Sequence, residues 1–166
     1  VRLMARIQQH FGINLPLATL FQFQTIEQLA TRLASKAVDW SVLVPIQPKG
    51  DNLPFFCVPG AGGNIIYLYD FARSMGAEQP FYGLQAVGLD GETAPYTTIE
   101  AIAAHYINAI QSVQPEGPYL LGGYSFGGIV VFEMAQQLLR AGHELAHLMI
   151  FDTSTPTQRI ESEQAT

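Results

Sequence analysis

Ser125 stands in the run Gly122-Gly123-Tyr124-Ser125-Phe126-Gly127-Gly128, with a glycine two places before it and two after. Gly123-x-Ser125-x-Gly127 is the spacing of a hydroxyl nucleophile raised on a sharp strand-to-helix turn. Helix and strand backbones approach each other there, so the flanking positions have no room for a Cβ. The plainer reading of the same residues is a glycine-rich crossover loop that carries a surface serine. A phosphate cradle is excluded: Ile129 follows Gly128 where a lysine is required, and no G-x-G-x-x-G occurs.

A serine nucleophile needs an orienting acid, oxyanion donors and a base. Asp152 directly follows the apolar run 145–151. The helix after Ser125 carries the chain away by about 24 Å at 1.5 Å per residue. The seven-residue run returns it by about 23 Å at 3.3 Å per residue. Asp152 is therefore expected at the edge that holds Ser125; its plainer role is a helix cap or turn former. Pro59-Gly60-Ala61-Gly62-Gly63 follows the apolar run 53–58 and reaches the same edge. Its N–H groups suit an oxyanion, with Ala61 the first candidate donor, Gly62 the second, and the N–H of Phe126 as their partner. The alternative is an ordinary turn into the next helix. All four histidines (His10, His105, His143, His147) precede Asp152, whereas a serine on such an elbow takes its base after the acid. Each is read as structural or solvent-facing, which leaves the triad without its base. Cys57, the only cysteine, reads as a small core thiol.

The elements that position these residues alternate. Runs at 53–58, 81–84, 119–124 and 145–151 read as strands. Residues 65–74, 98–113 and 126–141 read as helices, the second capped by Thr97 with Glu100, the third ended by Gly142. Near-continuous apolar strands between helices predict a parallel sheet covered on both faces. Ahead of this, residues 1–36 read as short helices. Leu3, Met4, Ile7 and Phe11 recur at helical spacing until Gly12, and Thr25 with Gln28 forms a capping box for a helix whose apolar face is Ile26, Leu29, Ala30 and Leu33. So small a piece cannot bury its own faces and must pack on the later elements or belong to something larger. A boundary is expected near 37–42.

Composition removes other classes. Of 166 residues 48% are apolar and 13% charged, too apolar for a disordered chain. Apolar runs are too short for a membrane span, and the N-terminal residues lack a signal peptide's apolar core. A single cysteine excludes a disulfide framework and a Cys-rich metal site. The net charge of −6 argues against nucleic acid as a partner. The expected compartment is the cytoplasm.

On the residues Val44-Pro45-Ile46-Gln47, Phe56-Cys57-Val58-Pro59-Gly60-Ala61-Gly62-Gly63, the glycine-rich run around Ser125, and Phe151-Asp152, the chain resembles the type I thioesterase domain of nonribosomal peptide and polyketide synthases. Val1-Arg2-Leu3-Met4-Ala5-Arg6-Ile7 and the run from Phe21 to Ala30 resemble the second half of an acyl or peptidyl carrier domain. The resemblance implies an α/β-hydrolase fold, truncated, behind a partial helical carrier. Residues 1–38 would be the end of the carrier, 39–52 linker and first strand, and 42–166 the N-terminal part of the thioesterase. It implies chain release: an acyl or peptidyl chain passes from carrier phosphopantetheine to Ser125 and leaves by hydrolysis or cyclisation. Ser125 and Asp152 would be catalytic, Ala61 and Phe126 the oxyanion hole, Gly123 and Gly127 the elbow. The 4′-phosphopantetheine would sit on a serine before Val1 and the histidine would lie about 100 residues beyond Asp152, so the piece alone is expected to be inactive. No metal and no other cofactor is expected. The partners implied are the carrier-tethered substrate and upstream synthase modules. Other α/β-hydrolases (an editing thioesterase or an esterase) and a non-catalytic carrier-docking module are the alternatives.

Overall fold

The computed structural model describes residues 2–13, 15, 19–23, 25–34, 41–89 and 93–154. Three short helices come first: α1 (Arg2–Phe11), α2 (Thr19–Gln22) and α3 (Ile26–Ala34). Gly12 ends α1 at φ 68. The expected capping box opens α3: Thr25 N–H donates to Gln28 Oε1 at 3.2 Å, and Gln28 N–H to Thr25 Oγ1 at 3.1 Å. The expected apolar face of α3 is not a buried one. Ile26 is 90% exposed and the helix buries no residue, because no neighbouring element covers it among the described residues. From α1 only Ile7 is buried. The boundary expected at 37–42 falls largely on residues outside those described, as does most of the C-terminal tail.

The remaining elements are β1 (Leu43–Gln47), β2 (Phe55–Val58), α4 (Leu68–Ser74), β3 (Phe81–Leu84), α5 (Ile99–Gln111), β4 (Tyr119–Tyr124), α6 (Phe126–Arg140) and β5 (Leu145–Phe151). The sheet order is β1-β3-β2-β4-β5. β3, β2, β4 and β5 are parallel, as expected, but β1 runs antiparallel to β3, so the sheet is mixed. β1 follows no crossover helix and adds at the edge of β3, where either direction satisfies the ladder. Alternation along β2 sorts the core. Phe56 and Val58 face α5 and α6 with Tyr106, Val131 and Met134, while Phe55 and Cys57 face α4 with Leu68 and Phe81.

Several boundaries differ in detail: β2 begins at Phe55 and not at 53, and α5 ends at Gln111 and not at 113. Residues 65–67 form a turn before α4, with Ile66 N–H on Asn64 Oδ1 at 2.8 Å. α5 is capped by Thr98 and not Thr97: Thr98 is extended (φ −125, ψ 149) and accepts from Ala101 N–H at 3.3 Å. α6 stops at Arg140, with Gly142 at φ 86. No helix among the described residues is long and apolar enough to cross a membrane.

Candidate active site at the end of β4

Ser125 links β4 to α6 at φ 53, ψ −119, a conformation costly for any residue with a Cβ. The glycines explain how the turn closes. A Cβ on Gly123 would fall on the Gly127 carbonyl oxygen and 2.6 Å from Val131 Cγ1. One on Gly127 would fall on the carbonyl oxygens of Val58 and Pro59, and one on Gly128 on Thr153 Oγ1. Three small residues thus let α6 sit against β4, β2 and the end of β5. Ser125 makes no side-chain cap to α6.

Asp152 comes to this edge. Tyr124 pairs with Phe151 in register, Ser125 N–H donates to Phe151 C=O at 2.8 Å, and Thr153 Oγ1 donates to Ser125 C=O at 2.9 Å. Two bonds therefore tie the serine to the residues on either side of Asp152. Asp152 is itself in a left-handed conformation, φ 49, with its carboxylate exposed. The Tyr124 hydroxyl donates to Asp152 Oδ2 at 3.4 Å.

The loop after β2 adjoins both. A Cβ on Gly60 would lie 3.4 Å from Ser125 Cβ and 3.1 Å from Tyr124 Cδ1. Gly60 N–H donates to Tyr67 Oη at 2.7 Å, and Gly63 N–H donates to Gly60 C=O at 3.0 Å. The N–H groups of Ala61 and Gly62 have no partner among the described residues. Phe126 N–H, in the first turn of α6, has no intrahelical acceptor and lies at the positive end of the helix dipole. Apolar hollows flank the edge on both sides. One, about 220 Å³, is lined by Tyr96, Ile102, Tyr106, Phe126 and Val130 among others. The other, about 520 Å³, is lined by Cys57, Tyr67, Leu68, Phe71, Tyr124 and Phe151.

The histidines lie elsewhere. His143 hydrogen-bonds Gln111 at 3.2 Å and packs on the Tyr119 ring at 5.6 Å, at the start of β4 and roughly 20 Å of strand from Ser125. His147 pairs with Leu120 near that same end, and His10 is on α1. His105 meets Tyr96 Oη at 3.3 Å, its pKa lowered by burial. None of them bonds to Ser125 or Asp152. Burial pushes the Cys57 thiol up to about 12, so it is no nucleophile at neutral pH. Sequence reasoning missed Tyr67, Tyr124 and Thr153. Tyr124 and Thr153 adjoin the singled-out residues in the chain, but nothing in the sequence signals that Tyr67 reaches back to Gly60.

The chain matches the family model described as thioesterase domain over residues 53–166 and the one for the phosphopantetheine attachment site over residues 1–33. It is 43% identical over 162 residues to an indigoidine synthase of Dickeya dadantii, covering 97% of this chain and 11% of that protein. It is 40% identical over 156 residues to a dimodular nonribosomal peptide synthase of Bacillus subtilis, covering 92% of this chain and 6% of that protein. Among solved structures, a four-domain nonribosomal peptide synthetase bound to AMP and glycine matches with TM-score 0.70 at 28% identity, covering 93% of this chain and 12% of that one. The NocB thioesterase domain of a nocardicin cluster matches with TM-score 0.63 at 26% identity, covering 68% of this chain and 50% of that one. The chain thus spans a small part of the length of these curated relatives.

Proposed function

Because the chain belongs to the thioesterase domain family, we propose that it forms part of a chain-releasing serine thioesterase of a peptide or polyketide assembly line, working in the cytoplasm. Residues 1–38 are the second half of a carrier domain, 39–52 the linker and first strand, and 42–166 the thioesterase portion. The only serine in residues 1–38 is Ser35, which follows the run 21–30 resembling the carrier's last helix and is not the phosphopantetheine site. The arm brings the substrate thioester from a carrier serine outside these residues, supplied by upstream synthase modules.

Ser125 Oγ attacks the thioester carbonyl carbon while a base takes its proton. The carbonyl electron pair moves onto oxygen, where the N–H groups of Ala61 and Phe126 receive it. Collapse of this adduct breaks the C–S bond, and the thiolate leaves with the proton that the base returns. Water or a nucleophile of the chain itself then attacks the acyl-serine by the same steps in reverse, giving an acid or a ring. Asp152 orients the base. No histidine of this chain adjoins Ser125, so the base comes from outside residues 1–166. The observation that carries this reading is the junction itself: Ser125 in a strained turn at φ 53, bonded to Phe151 and Thr153 on either side of Asp152.

The test is acyl transfer from a butyryl thioester of N-acetylcysteamine, followed by intact mass. A polypeptide extended through the rest of the synthase acquires the butyryl group on Ser125 and turns over, and Ser125→Ala does neither. The 166-residue chain turns over slower by about three orders of magnitude or more for want of the base. Turnover that survives Ser125→Ala refutes the proposal.

A further inference from the structure

Between β2 and the turn into α4, Pro59 has no N–H, and the amides of Gly60 and Gly63 are occupied by Tyr67 Oη and Gly60 C=O. Ala61 and Gly62 sit between these two ties with their N–H groups unpartnered among the described residues. At its far end Ala86 N–H donates to Gly63 C=O at 3.1 Å, and Gly63 packs against Ala86. Between the two anchors Gly62, at φ 88 with open space around it, holds a conformation that glycine leaves as readily as it enters. The Tyr67 bond is the only side-chain hydrogen bond to this loop among the described residues. The tyrosine is held in turn: its ring meets Tyr124 edge-on at 5.7 Å and 65°, and Tyr124 directly precedes Ser125.

From this arrangement we infer that Tyr67 is a positioning residue, whose hydroxyl fixes Gly60 so that the next amides in the chain stand ready for the oxyanion. The inference rests on the reading of Ser125 as nucleophile. A donor set in place beforehand acts when negative charge develops on the carbonyl oxygen and contributes little to binding the neutral thioester. Without the hydroxyl, the buried Gly60 N–H has no partner. The glycine-rich loop then turns toward water and carries Ala61 and Gly62 out of register. Tyr67 thus supports the transition state through Gly60 and touches no reacting atom.

The 166-residue chain itself allows the test, because it can be read without turnover. n-Butylboronic acid accepts the Ser125 Oγ lone pair to form a B–O bond, releases the hydroxyl proton to buffer, and leaves a tetrahedral anion that mimics the adduct. The amide analogue of butyryl-N-acetylcysteamine serves as the neutral ground-state probe. Tyr67→Phe should weaken the boronate about tenfold and the amide by less than twofold. A purely structural role would weaken both or lower only the melting temperature. Equal boronate affinity in Tyr67→Phe and wild type overturns the inference. Amide hydrogen exchange in the wild type gives a second check that needs no variant: Gly60 should exchange at least tenfold more slowly than Ala61 and Gly62, and equal rates overturn the inference too. Boronate binding that is absent, or indifferent to Ser125→Ala, overturns instead the assignment of Ser125, and this inference falls with it.

Discussion

Replacing Gly127 by alanine puts a methyl carbon onto the carbonyl oxygens of Val58 and Pro59, and 2.7 Å from the carbonyl carbon of Val58. Such contacts open to at least about 3.2 Å in a packed interior, and the two carbonyl oxygens are the closest obstacles, so α6 and the end of β2 must part by about 1 Å. The obstacles are backbone atoms, which cannot rotate away as the tip of a side chain can. The cost therefore falls near the top of the overpacking range, about 3 kcal/mol. Against it stands the gain from removing a glycine from a helix, at most about 1 kcal/mol. The net loss is about 2 kcal/mol, a fall in melting temperature of about 4–8 °C for a chain of this size. Ser125→Ala works on the same turn without this clash. The hydroxyl makes no side-chain cap and no hydrogen bond among the described residues, so its removal should change stability by less than about 0.5 kcal/mol. Differential scanning calorimetry of the two variants beside the wild type measures both. If Ser125→Ala lowers the melting temperature as much as Gly127→Ala, the hydroxyl is a structural hydrogen-bonder and the catalytic reading loses its support in the geometry. If Gly127→Ala melts with the wild type, the close approach of α6 to β2 is refuted.

Thr98→Ala should cost about 1 kcal/mol through loss of the α5 cap and lower the melting temperature by about 2–4 °C, with Thr97→Ala neutral; the reverse order would return the cap to Thr97. Cys57, 1% exposed with its pKa pushed up to about 12, should react with a disulfide reagent at pH 8 only at the rate of unfolding, and prompt labelling would contradict its burial. Burial also pushes the phenols of Tyr69 and Tyr106 from 10.0 up to about 12. The unfolded chain releases these protons, and that of Cys57 from 9.0, at lower pH than the folded one. These groups therefore leave stability unchanged below about pH 9 and lower it as pH rises toward 12. Urea midpoints between pH 8 and 11 check this, and equal midpoints at the two ends would refute it.

Local chemistry alone determined a good part of this protein. The strands at 81–84, 119–124 and 145–151 match the structure residue for residue, because each is a short apolar run bounded by turn residues. The Thr25–Gln28 capping box was legible because donor and acceptor lie three residues apart. The meeting of Ser125 and Asp152 followed from lengths, since helix and strand rise by constant steps and the outward and return paths nearly cancel. Tertiary structure decided what depends on distant partners. β1 precedes β2 in the chain yet pairs with β3, antiparallel, since an edge is chosen by competition among the strands that fold against it. Ile26 has the spacing of a buried position and stands 90% exposed, since periodicity marks a face without supplying what covers it. The bonds from Tyr67 to Gly60 and from Thr153 to Ser125 join residues that no local pattern relates. The second forms because packed glycines let α6 approach the end of β5; the first forms because the turn before α4 returns Tyr67 over the end of β2.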